Sequence, residues 1–197
     1  MREPEGAGMT SLDVKAELHG YLRGAREVLV WKLDGLSEYD IRRPLTPTGT
    51  NLLGLVKHST ATHLGYFGEV FGRTGDPSLG RISGDAGQFW ATPDESRQDI
   101  VTGYRGAWEF SDATISELPL DAVGSVWWWG DATVTLHQIL VHVTADTQRH
   151  AGHADIVREL IDGSVGMLKG LDSLHIRDPA EQQRFRDRVE AAAAEFR

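Results

Sequence analysis

The sequence predicts an all-α protein: a four-helix bundle with an additional C-terminal helix. Two observations predict it. Apolar residues recur at spacings of three and four over long segments, as they do on the buried stripe of an amphipathic helix. Those segments are separated by runs rich in Pro, Gly and Asp, with no internal repeat and no domain linker between them.

The first helix is expected from Leu12 to about Leu36, where Leu18, Leu22, Ala25, Leu29 and Leu33 form the stripe. The segment from Arg43 to Thr50 contains two prolines and a glycine and reads as a loop. A second helix is expected from Thr50 or Asn51, either of which can cap it, to about Gly72. Residues 73–91, rich in Gly, Asp and Ser, read as a long irregular connection. Thr92-Pro93-Asp94-Glu95 has the form of a helix start, and a third helix is expected from there to Leu118. Residues 119–134 form another connection, with room for no more than a short pair of strands. The fourth helix runs from near Thr135 to Ile161 and stops at Asp162-Gly163. The last is expected from Pro179 to about Phe196. By domain, residues 1–10 are a flexible lead-in, 11–165 the bundle, and 166–197 an extension ending in the fifth helix.

Composition narrows the function. With 197 residues the chain fits one domain. A formal charge of −9 argues against nucleic-acid binding, which needs Lys and Arg to neutralise phosphates. No apolar stretch approaches the roughly 20 residues needed to span a bilayer, and residues 1–10 lack the apolar core of a signal peptide. A cytoplasmic protein with no membrane partner is therefore expected. Cysteine is absent, which excludes disulfides, thiolate ligands and a cysteine nucleophile; thiol chemistry would need a thiol from outside.

The chemistry lies in the stretch from His142 to Asp155. At about 100° per residue, His142, Asp146, His150 and His153 fall within an arc of roughly 80°. Ile139, Val143 and Val157 share that arc, so Asp146 and His150 should face the bundle interior. A buried carboxylate must be paired, protonated or bound to a cation. Carboxylate and imidazole four residues apart on one helix can converge on one ion, although a plain Asp–His hydrogen bond satisfies the pattern too. A third ligand would come from His58 or His63 on the second helix. These are about 140° out of phase, and the wheel leans towards His63 without deciding. His142 reads as structural, and His19, His137 and His175 as surface residues. Trp127-Trp128-Trp129 could wall a pocket, but a plug at the bundle end or a dimer contact is the preferred reading.

Two motifs carry a family resemblance over roughly residues 12–162. They are Thr50-Asn51-Leu52-Leu53-Gly54-Leu55-Val56-Lys57-His58 and, more specifically, Arg149-His150-Ala151-Gly152-His153-Ala154-Asp155. With them the chain resembles the DinB-like superfamily, in particular the actinobacterial branch related to mycothiol-dependent maleylpyruvate isomerase. The resemblance implies a four-helix bundle, often a homodimer, holding a divalent metal ion, zinc or nickel, through His58, Asp146 and His150. Relatives more often carry Glu where Asp146 stands and an acidic residue where His63 stands. His153 and His63 become candidates for orienting a ligand or touching a small-molecule substrate; no catalytic residue is nominated. The activity implied is mycothiol-dependent S-transfer or isomerisation. A metal-dependent hydrolase and a non-catalytic bundle that binds a small ligand or a partner are the alternatives.

Overall fold

The computed structural model describes residues 13–75, 86–169 and 178–197. The lead-in before residue 11 and His175 lie outside the described residues. Six α-helices are present among them: α1 (Val14–Trp31), α2 (Glu38–Arg42), α3 (Leu52–Phe67), α4 (Arg97–Glu117), α5 (Leu136–Asp162) and α6 (Pro179–Ala194). One antiparallel hairpin, β1 (Val123–Val126) and β2 (Ala132–Thr135), pairs Val123 with Thr135 and Val126 with Ala132. The expected bundle is there: α3 packs on α4 and α5, and α1 on α5. No helix among the described residues is long and apolar enough to cross a membrane.

The caps follow side-chain chemistry. Asn51 and Thr135 accept from the backbone N–H groups of Gly54 and Gln138, so α3 and α5 start where a capping side chain is present. Gly163, at φ 76°, closes α5 in the left-handed conformation that an L side chain resists. Asp178 caps α6, with Pro179 in its first turn.

Three expectations need correcting. The first helix stops at Trp31, and a separate short helix, α2, follows, capped by Ser37. The second stops at Phe67 and continues only as a single 3-10 turn, Glu69–Phe71, before Gly72 turns left-handed. The third begins four residues later than Thr92-Pro93 suggests, at Arg97. Glu95 does accept from the Thr92 N–H at 2.7 Å, but it also takes Lys57 at 2.7 Å. Ser96 is the residue that caps α4. A capping bond formed here without a helix, and its acid also serves a tertiary ion pair.

The core is layered. One apolar cluster holds Leu22, Tyr66, Phe67, Ile115, Leu136, Ile139 and Val143. A second holds Leu29, Leu52, Leu53, Val56, Ile100, Tyr104, Ala154 and Val157. Between them on each of the four bundle helices lies a buried polar residue: Arg26 on α1, His63 on α3, Ser111 on α4 and Thr147 on α5. This polar belt sets the level of the site.

Candidate metal centre

Within the belt, α3 and α5 face each other in antiparallel register. His58, Thr62 and Tyr66 lie at four-residue spacing on α3, and His142, Asp146 and His150 at the same spacing on α5. His58 meets His150, with ring centroids 4.8 Å apart, and Tyr66 meets His142, with the Tyr66 hydroxyl 3.1 Å from His142 Nε2. Asp146 lies between the two contacts on α5.

His58, Asp146 and His150 each present a ligand atom within 4.8 Å of the others, all three half-buried. The His150 ring lies 3.5 Å from the Asp146 carboxylate. Among the described residues His58 Nδ1 and His150 Nδ1 are buried without a hydrogen-bond partner. Buried imidazole nitrogens left unpaired cost free energy that a bound ligand recovers. Electrostatics agree with a cation site. Burial, then the neighbouring His150, holds the His58 ring below its ordinary pKa and leaves it unprotonated, a lone pair available. Burial works to raise the Asp146 carboxyl, but the His150 hydrogen bond and the surrounding imidazoles outweigh it and hold the carboxyl low. One carboxylate and two imidazoles suit zinc or a similar divalent ion.

The environment of His58 comes from a segment that sequence reasoning read only as a connection. Phe89, in the 3-10 turn Ala86–Phe89, stacks on the His58 ring at 4.2 Å, and Gln88 hydrogen-bonds it. Asn51 Nδ2 donates to the Phe89 carbonyl at 3.1 Å. That turn can lie on α3 because Gly54 has no side chain: a Cβ there would run into the Phe89 backbone. The glycine of the first family motif thus has a steric task.

His63 faces elsewhere. It is fully buried, its Nδ1–H donates to the Ser59 carbonyl at 2.7 Å, and its Nε2 accepts from Arg26 Nε at 2.9 Å. Both ring nitrogens are engaged, and burial drives its pKa well below the ordinary value. Arg26 continues the network to Asp112 at 2.6 Å, and Asp112 also takes His19 at 2.7 Å. His19, expected alone at the surface, is therefore part of a buried-charge network. His153 is exposed, with its ring 5.7 Å from that of His150. His142 and the indoles of Trp128 and Trp129 surround Tyr66, one turn from Asp146. Asp155, which ends the second motif, pairs with the buried Lys32 at 2.6 Å and ties α5 to the end of α1.

The profile of the mycothiol-S-transferase family matches residues 17–163. The chain belongs to that family. The match spans α1 to α5, so both halves of the α3–α5 seam fall inside it. A search of curated proteins gives no match. Among solved structures, the chain is similar to a conserved protein from Enterococcus faecalis. The TM-score is 0.55 at 15% identity, covering 78% of this chain and 100% of that one, a likeness of fold alone. Family membership carries mycothiol-dependent S-transferase function as the general reading of this chain.

Proposed function

We propose that this mycothiol S-transferase uses a divalent metal ion, zinc or nickel, held by His58, Asp146 and His150. The observation that carries the proposal is the convergence of the three ligand atoms within 4.8 Å, with two buried ring nitrogens unpaired beside them. A divalent ion here supplies positive charge that lowers the pKa of a thiol placed next to it.

The chain's own residues do the rest. Asp146, kept ionised, supplies the single negative charge of the trio, and the unprotonated His58 supplies an imidazole at neutral pH. Phe89 and Gln88 fix the His58 ring from the other side. Aspartate is one methylene shorter than the glutamate of similar proteins. His58 lies close across the seam, within ring contact of His150. The absence of cysteine suits the reaction, because the protein offers no thiol of its own to compete with mycothiol.

The test is metal content together with transfer. Purified wild type should carry about one ion per chain, with Asp146→Ala and His150→Ala losing it. Wild type should conjugate mycothiol to an electrophile, and the two variants should fall by at least about 100-fold, the scale of losing activation of the nucleophile. A wild type that conjugates mycothiol at full rate when metal-free and loaded with chelator would overturn the metal's role.

A further inference from the structure

We propose that the Tyr66 end of the α3–α5 seam is the acceptor subsite. There the Tyr66 hydroxyl is a catalytic residue that hydrogen-bonds the oxygen of a flat, uncharged conjugated carbonyl as that oxygen takes up negative charge. The inference rests on the thiol-transfer reading and adds where the second substrate lies and what it is.

The placement follows from the helix register. Asp146 and His142 are one turn apart on α5, about 6 Å along the axis. A thiol sulfur beside the Asp146 level and an acceptor against Tyr66 are therefore neighbours in one seam. Tyr66 is nearly buried, at 8% exposure, yet its hydroxyl is held from two sides. Trp128 Nε1, which can only donate, lies 3.3 Å from the phenol oxygen, and His142 Nε2 lies 3.1 Å from it. When His142 carries its proton on Nε2, both neighbours donate into that oxygen, and the Tyr66 hydrogen is left for an acceptor. Burial raises the Tyr66 pKa, so the phenol keeps that hydrogen at neutral pH.

The walls select the shape and charge. Trp128 and Trp129 lie 5.1 and 5.6 Å from the Tyr66 ring, and Trp129 makes an edge contact with His142 at 4.7 Å. Trp129 is 36% exposed, so this end of the seam opens to solvent through an indole face. A flat apolar group can stack on that exposed indole face, beside the packed rings rather than between them. The carboxylate of Glu69, which accepts from Trp127 Nε1 at 3.3 Å, stands at this end and repels an anionic acceptor.

The step balances without a further reactant. The thiol has already given its proton to solvent. Its sulfur forms a bond to the β-carbon, the carbon–carbon π pair moves towards the carbonyl oxygen, and the Tyr66 O–H stabilises the enolate. Water then protonates the α-carbon, and the product is the thioether.

The experiment compares three acceptors with mycothiol on the metal-loaded protein: benzylideneacetone, its carboxylate counterpart cinnamate, and 1-bromobutane, which has no oxygen to accept. Tyr66→Phe should lose about 100-fold in kcat on benzylideneacetone with KM little changed, the scale for removing one oxyanion donor. Its loss on 1-bromobutane should be much smaller, and a thermal melt matching wild type shows that the variant is folded. Calorimetry should show benzylideneacetone binding to wild type but not to Trp129→Ala, with cinnamate binding to neither. Equal losses by Tyr66→Phe on benzylideneacetone and 1-bromobutane, or cinnamate turned over as well as benzylideneacetone, overturns the inference. Failure of the thiol-transfer reading looks different: wild type binds benzylideneacetone at the Trp129 site but conjugates mycothiol to no acceptor.

Discussion

His58 and His63 show how two histidines five residues apart come to do opposite things. His58 keeps a buried ring nitrogen free, whereas His63 spends both nitrogens on Ser59 and Arg26. Because Arg26 donates to His63 Nε2, a proton on that nitrogen would both break the bond and set two cations face to face. His63 is thus neutral in the folded protein, with a pKa well below 6.5. The unfolded chain binds the proton that the folded chain refuses, so stability falls as pH drops below 6.5 towards the folded value. His58 contributes in the same direction. Denaturant unfolding between pH 7.5 and 5 should show this loss, and it should shrink in His63→Gln relative to wild type. An unchanged pH slope in that variant would move the effect to other groups. His63 lay on the side of the wheel that carries Leu52, Val56 and Phe67, and that side proved to be the core rather than the site.

The wheel could not choose because of how α3 is packed. Every residue of α3 except Lys57 and His58 is buried, so it has no single apolar face for periodicity to reveal. What distinguishes His58 is supplied by another element, the 3-10 turn that Gly54 lets approach. Gly54→Ala tests this coupling between elements. The added methyl meets the Phe89 backbone, so the turn must move and carry Phe89 and Gln88 away from His58. We expect a stability loss of about 1–3 kcal/mol, as for overpacking elsewhere. Zinc affinity should fall by about 10–100-fold, as when groups that orient a ligand are lost. Equilibrium zinc titration and urea denaturation measure the two effects, and wild-type values in both would show that the turn does not set the His58 ring. The hairpin plays the corresponding part at the other end of the seam. Its two strands are only four residues each, and between them the turn Trp127–Trp129 brings the indoles of Trp128 and Trp129 against Tyr66 and His142.

Across the whole molecule, stability and function are divided along the helix axes. Two apolar clusters hold the bundle together at either end, and the polar belt between them holds the charges. The terminal helix takes no part in this arrangement: every residue of α6 is exposed, Phe185 and Val189 included. Removing residues 178–197 should therefore move the melting temperature by less than about 2 °C, since surface segments contribute little. Metal content should be unchanged. A fall of more than about 5 °C in a thermal melt would show that α6 docks on the bundle.

Helix content, most helix ends and the pairing of Asp146 with His150 were all legible in the sequence. They depend on near-neighbour chemistry: spacings of three and four, a capping Asn51 or Thr135, a left-handed Gly163. The family motifs singled out His58 where periodicity could not. The break of the first helix at Trp31, the delayed start of α4 and the tie between Asp155 and Lys32 were not legible. Nor were the roles of Tyr66 and Phe89, although the spacing of 58, 62 and 66 was a signal that those three residues share a face. Asp155, Phe89, Glu95 and Tyr66 each depend on a partner between roughly 30 and 120 residues away, as Glu95 does on Lys57 and Tyr66 on His142. A local pattern limits what a residue can offer; only the packed chain decides which partner takes it up.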